Sequence, residues 1–206
     1  MGDRREIMCI GSSRLDAFRQ LAEEVSRCRK CSLSETRRNP VVGDGDINST
    51  LVLIGEAPGY WEDIEGKPFV GSAGRLLNEI LVEVGLSREK VYITNVVKCR
   101  PPRNRDPRSD EIKACRGYLD RQLDLIRPSV IVTLGRHSTA YILSKARLEP
   151  KPISEIQGKI FEVEFWGAKT YIIPSYHPAA ALYNARLKIH IKKALFLVKD
   201  VINKQE

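Results

Sequence analysis

The chain has 206 residues, 42% hydrophobic and 29% charged, and its 34 lysines and arginines against 26 acidic residues leave a formal net charge of +8. That length suits one domain, residues 1–206, large enough to bury a core without staples. No run of 18 apolar residues offers a membrane span, and the charged start Met1-Gly2-Asp3-Arg4-Arg5-Glu6 has no apolar stretch of a signal peptide behind it, so a cytoplasmic protein is expected.

The first pattern along the chain is an amphipathic helix over 12–26. Leu15, Phe18, Leu21, Ala22 and Val25 recur at helical spacing behind a Ser12-Ser13 start that supplies capping hydroxyls, and the helix runs up to Cys28. Four apolar, β-branched runs follow at 50–54, 91–97, 130–134 and 170–173, without the polar alternation of a half-exposed strand, which predicts cover on both faces. Helical patterns at 73–84, 110–126, 136–144 and 179–202 lie between and after them. The alternation predicts an α/β fold, a three-layer α/β/α sandwich around a central, mainly parallel four-stranded sheet, with ligands outside the carboxyl ends of the strands. Residues 159–165 with Gly167 and Tyr171 predict an antiparallel hairpin feeding the last strand, and the Pro- and Arg-rich stretch 100–108 predicts an irregular loop. Internal repeats and low-complexity tracts are absent from the sequence.

Each strand runs into a segment suited to a site: Gly55-Glu56-Ala57-Pro58-Gly59, Lys98-Cys99-Arg100-Pro101-Pro102, Gly135-Arg136-His137 and Pro174-Ser175-Tyr176-His177-Pro178. The first can turn its backbone amides toward a ligand or serve as a plain turn. Without the lysine of a P-loop or a Gly-x-Gly-x-x-Gly after the first strand, nucleotide hydrolysis and dinucleotide binding are disfavoured. Phe69, between Pro68 and Gly71, is either a core ring or a wall for a planar base, where stacking contributes ~1–3 kcal/mol per base. Asn95, inside an apolar run, has to satisfy both a donor and an acceptor, the pattern that reads a pyrimidine edge. His177, set in an extended conformation by Pro178, is a candidate for catalysis or substrate contact, the alternative being a hydrogen-bonded structural imidazole. His137 and His190 are expected on helix surfaces.

The positive charge favours an anionic partner, nucleic acid first. Five cysteines in a reducing compartment point to metal or redox chemistry rather than disulfides. Intracellular proteins of hyperthermophiles are the exception, and Lys- and Arg-rich helices with only two methionines suit such a source. Cys28-Arg29-Lys30-Cys31 together with Cys99 and Cys115 suggests a four-thiolate site for zinc or an iron–sulfur cluster, with Cys9 left over. Buried unliganded thiols are the plain alternative.

Taken together, these motifs resemble the family 4 uracil-DNA glycosylases, the thermostable iron–sulfur branch of their superfamily, from Cys28 to about Lys192. The likeness rests on Cys28-x-x-Cys31, Gly55-Glu56-Ala57-Pro58-Gly59 with Glu62-Asp63, Gly66-Lys67-Pro68-Phe69-Val70-Gly71, Thr94-Asn95-Val96-Val97-Lys98-Cys99-Arg100-Pro101-Pro102, Cys115 and His177-Pro178-Ala179-Ala180. It implies a base-excision repair enzyme that flips uracil out of single- or double-stranded DNA, hydrolyses its N-glycosidic bond and leaves an abasic site. It implies a structural [4Fe-4S] cluster on Cys28, Cys31, Cys99 and Cys115, with Cys9 outside the set and zinc as the alternative metal. It also implies a uracil pocket made by Glu56, the backbone of Ala57 and Pro58, Phe69, Asn95 and His177.

In that pocket Asn95 would bond uracil O4 and N3–H, and His177 would donate to O2 as negative charge builds there. Because Ala57 stands where family 1 enzymes carry an aspartate, the water-orienting acid is left among Glu56, Glu62 and Asp63. Catalysis is therefore expected from Glu56, Asn95, His177 and Glu62, with Tyr60 or Trp61 excluding the thymine methyl. Arg100, Arg103, Arg105, Arg186 and Lys188 are candidates to grip phosphates. Leu182 is either a wedge for the vacated base stack or the first core residue of the last helix. The Lys-Arg-Arg-Ile-His insert of a DNA-crosslinking relative is absent, so turnover is expected. A monomer is expected, no sliding-clamp motif is recognised in 199–206, and the sequence does not name the repair or replication proteins that dock. The competing reading is a non-catalytic, zinc-stabilised nucleic-acid-binding module. A thiol redox enzyme is disfavoured, since the Cys28–Cys31 pair follows a helix rather than a strand.

Overall fold

The apolar runs form the heart of one sheet in the computed structural model, which describes residues 4–202 and, for residues 4–13, the backbone alone. The side chain of Cys9 and the tail beyond residue 202 lie outside the described residues. Among the described residues the sheet has six strands: β1 (Asp44–Gly45), β2 (Leu51–Gly55), β3 (Tyr92–Asn95), β4 (Val130–Leu134), β5 (Phe161–Phe165) and β6 (Ala168–Ser175). Their order is β1-β3-β2-β4-β6-β5. The four inner strands are parallel, with Leu53 registered against Ile93 on one side and Val132 on the other, and Ile131 against Ile172. β1 and β5 pair antiparallel at the edges. The sheet thus has two strands beyond the expected four. β1 is too short to leave a pattern, and β5 belongs to the expected hairpin, turning into β6 through Trp166 and Gly167 at φ 56° and 71°. Two successive positive φ angles are what a tight hairpin turn requires.

The helices are α1 (Arg4–Ser26), α2 (Leu33–Thr36), α3 (Tyr60–Glu65), α4 (Ser72–Glu83), α5 (Ser109–Ile126), α6 (Arg136–Lys145), α7 (Ile153–Ile156), α8 (Pro178–Tyr183) and α9 (Arg186–Ile202). None of those described is long and apolar enough to cross a membrane. Alternate strand residues feed opposite faces. Leu53, Val132 and Ile173 pack on Leu77 and Ile80 of α4 and on Ile191, Leu195 and Val198 of α9. Val52, Ile54, Ile131 and Ile172 pack on Phe18, Leu119, Leu123 and Ile142 of α1, α5 and α6. The sandwich has three layers because every residue of β2, β3 and β4 is buried, leaving neither face for water.

Two boundaries differ from the sequence pattern. α1 is already helical at Arg4, so Ser12 and Ser13 lie within it rather than capping it, and it stops at Ser26 instead of reaching Cys28. The last helical pattern divides in two: Asn184 leaves the helix at φ −134° and ψ 94°, and its Oδ1 accepts from the Arg186 amide at 3.2 Å, restarting the chain as α9.

A candidate active site at the carboxyl ends of the strands

A cavity of about 530 Å³ opens where β2, β3 and β6 end, and Glu56, Ala57, Pro58, Phe69, Asn95 and His177 all line it. Asn95, the last residue of β3, is buried, and its Oδ1 has no hydrogen-bond partner. An orphan acceptor costs ~1–3 kcal/mol in the free protein, so a ligand carrying an N–H there recovers that cost. Gly55 pairs with Asn95 across the sheet. A Cβ on Gly55 would lie 2.3 Å from Asn95 Oδ1 and 2.7 Å from Phe69 Cζ, so only glycine lets amide and ring share this floor.

Phe69 is buried and held at φ 53°, a conformation uncommon outside glycine. Arg88, between α4 and β3, over-determines that turn by donating to Pro68 O at 2.6 Å, Phe69 O at 3.3 Å and Asn78 Oδ1 at 3.0 Å. The Phe69 ring stacks on His177, with centroids 5.6 Å apart and planes 28° from parallel. His177 caps α8, and its Nδ1 accepts from the Ala179 amide at 3.1 Å. Burial pushes its pKa down to about 4, against the pull of the Glu62 charge, so the ring is neutral at ordinary pH with Nε2 as the donor.

The three candidate acids have different surroundings. Glu62 lines the cavity, but its two carboxylate oxygens accept from three amides: Gly59 at 3.1 Å and Val70 and Gly71 at 3.0 Å. Asp63 is buried on the far side of α3, accepting from the Arg38 amide at 2.9 Å. Glu56 faces the cavity, and its pKa is raised to about 7, first by burial and then by the charge and hydrogen bonding of Asp106, with Arg136 opposing. Asp106 lines the same cavity. His137, expected on a helix surface, instead brings Nε2 to 3.6 Å from Asp106 and 3.8 Å from Glu56. His190 is also drawn inward, its Nδ1 3.1 Å from Gln157 Nε2 and its ring against Tyr176.

Around the mouth, Tyr60 and Trp61 line the cavity with rings about half exposed, and Arg100 lies 5.0 Å over Tyr60. Arg103 is exposed at φ 56° in a short 3₁₀ turn within the expected irregular stretch. Arg105 differs from the phosphate-gripping role expected of it, because both ends of its guanidinium are spent on the buried Glu111, at 2.6 and 2.8 Å. Lys188 likewise pairs with Glu79 and Glu83 of α4, at 3.6 and 3.0 Å. Arg186 is exposed at the start of α9. Leu182 is 49% exposed on α8, beside Tyr183 at 94%, so it is no core residue of the last helix.

The residues missed by sequence reasoning are Arg88, Asp106, His137 and Lys98. His137 and Lys98 carried a signal, their positions directly after apolar runs, and Asp106 lay in the irregular stretch 100–108. Lys98 is fully buried, with Nζ donating to Thr94 Oγ1 at 2.6 Å, Asn95 O at 2.7 Å and Gln122 Oε1 at 2.6 Å, which ties down the backbone behind the pocket amide.

Behind that lysine Cys28, Cys31, Cys99 and Cys115 gather around one small cleft with Leu21, Val25 and Tyr118, and none is in a disulfide. Arg37 donates to Cys99 Sγ at 3.0 Å, and the Lys98 amide to Cys115 Sγ at 3.2 Å. Burial pushes the Cys31 and Cys99 thiols above the usual range and Cys115 up to about 11. A bound cation has to supply the field that turns them into thiolates.

The sequence model of the Uracil DNA glycosylase superfamily matches residues 42–199. Three Type-4 uracil-DNA glycosylases are similar over most of their length. The one from Saccharolobus solfataricus is 48% identical over 190 residues, covering 92% of this chain and 88% of that protein. The one from Sulfurisphaera tokodaii is 51% identical over 175 residues, covering 84% and 80%, and the one from Archaeoglobus fulgidus 46% over 192 residues, covering 93% and 96%.

Proposed function

This chain belongs to the uracil DNA glycosylase superfamily and excises uracil from DNA in repair, and we propose that the cavity beneath Tyr60 and Trp61 receives the flipped base in one domain of a monomer. A DNA substrate suits an enzyme working inside the cell. The unpaired Asn95 Oδ1, buried in the cavity that His177 also lines, carries this reading.

Uracil offers N3–H to Oδ1 and O4 to the amide nitrogen of Asn95. Cytosine presents the opposite pattern and leaves both ends unpaired, a mismatch that rejects analogues by about 10⁴ to 10⁵. Phe69 stacks on the base, and the half-exposed rings of Tyr60 and Trp61 exclude the thymine methyl. As the C1′–N1 bond breaks, electron density moves onto uracil O2, where His177 Nε2–H donates. One preorganised donor of this kind contributes about 10² to 10³ in rate. Glu56 takes the proton of the attacking water, while Glu62 clamps the two loops that carry the wall. Arg100, Arg103 and Arg186 grip phosphates, and Leu182 with Tyr183 fills the vacated stack.

The four thiols fit a [4Fe-4S] cluster: the donors are all sulfur, none is in a disulfide, and two N–H groups point at them. Cys28 and Cys31 from the α1–α2 connection, Cys99 after β3 and Cys115 of α5 would hold such a cluster, which would tie these three chain segments together. A brown, iron-containing isolate supports this; colourless zinc-loaded protein overturns it.

The deciding experiment is an assay on matched U·G, U·A and T·G duplexes. Free uracil and an alkali-labile site are expected from the first two and nothing from the third, with Asn95→Ala slowed at least about 100-fold. A stable protein–DNA adduct, or release unaffected by Asn95→Ala, overturns the reading.

A further inference from the structure

We propose that Asp106 and Arg136 are positioning residues for hydrolysis, a second carboxylate and its guanidinium partner that set how firmly Glu56 holds its proton and so how it activates water. The inference rests on Glu56 as the water-activating acid. Polar side-chain atoms of Glu56, Asp106 and His137 lie within 4.8 Å of one another at the cavity mouth. Asp106 arrives on the loop before α5, whose backbone is pinned where Arg105, anchored on Glu111, donates to Asp106 O at 2.8 Å. Arg136 and His137 arrive on the first turn of α6. Arg136 is hydrogen-bonded to the Asp106 carboxylate, and its Nε donates to His137 Nε2 at 3.2 Å, so that nitrogen acts as an acceptor.

Two carboxylates this close do not ionise independently. Partial burial pulls the Asp106 carboxyl up, but its bond to Arg136 and the Arg136 charge carry it below the usual range. Asp106 therefore stays anionic, and its field makes Glu56 the member that keeps a proton longest. The other polar groups facing this corner are already engaged: Glu62 with three amides, Arg105 with Glu111, and His177 as a neutral ring. A carboxylate titrating near the working pH is a far better base than an ordinary glutamate. In the step it serves, the C1′–N1 bond breaks with its electron pair leaving on uracil. Water oxygen bonds to C1′, one water proton passes to Glu56, and the other stays on the abasic sugar.

The test is the single-turnover rate at saturating enzyme on a U·G duplex, from about pH 5 to about pH 9, with an acidic limb expected near Glu56's own titration. Asp106→Asn removes the neighbouring charge and moves the limb down by about one pH unit. Arg136→Gln leaves Asp106 uncompensated and moves the limb up. A purely structural role scales the rate at every pH and leaves the limb in place, which overturns the proposal. Glu56→Gln separates the two levels. If the limb survives it, the reading of Glu56 as the base falls. If the limb vanishes there but neither neighbouring variant shifts it, only the role of Asp106 and Arg136 falls.

Discussion

Glu56 shows how one side chain can be costly to the fold and useful to the reaction. Its pKa rises from 4.5 to about 7 because burial and the Asp106 charge both oppose ionisation. The native state therefore holds its proton more tightly than the unfolded chain between those values. Stability present at low pH is lost as pH rises through the folded value. Glu56→Gln is expected to raise stability by about 1–3 kcal/mol at about pH 8 and by nothing near pH 4, read from denaturant midpoints at the two pH values, while uracil release collapses. Equal effects at both pH values sink that account. Gly55 is the complementary case, a residue whose contribution is the absence of a side chain: its place in the turn motif was visible along the chain, but the Asn95 and Phe69 atoms that would collide with a Cβ come from elsewhere in the fold.

Between elements, the carboxylate of Glu62 joins the start of α3 to the start of α4 by bonding amides at positions 59, 70 and 71. Phe69 sits inside that bracket, with Arg88 gripping it from the other side. Glu62→Gln keeps the shape and part of the bonding, so a loss of about 10-fold in single-turnover rate is expected with the acidic limb unmoved, together with about 1–2 kcal/mol of stability. Disappearance of the limb in that variant would instead make Glu62 the base. The motif containing Glu62 was legible because its residue types stand close together in sequence. Its structural duty was not, since a carboxylate reads the same whether it faces water or backbone amides. The same gap explains α8 and α9: Leu182 and Tyr183 continue an apolar helical pattern, and only their exposure shows that the chain has left the core there.

Across the molecule, the thiol cleft joins the α1–α2 connection, the end of β3 and the middle of α5, while Lys98 lies between that cleft and Asn95. Stripping the metal, or Cys115→Ser, is expected to lower Tm by about 10 °C and to release hydrogen-exchange protection in α1 before the sheet loses its own. Protection of α1 that survives metal removal would show that the apolar contacts of Leu21 and Val25 hold it unaided. The alternating strands and helices and the polar segments at the strand ends were legible along the chain, because periodicity records burial and the strand ends follow from it, and the cysteines stood out by their number and the Cys28–Cys31 spacing. How Glu56, Glu62 and Asp63 differ in their surroundings, that Arg105 and Lys188 are spent on ion pairs, and that His137 stands beside Asp106 are legible only in the folded molecule, because proton affinity and charge pairing depend on neighbours that the fold brings from distant segments.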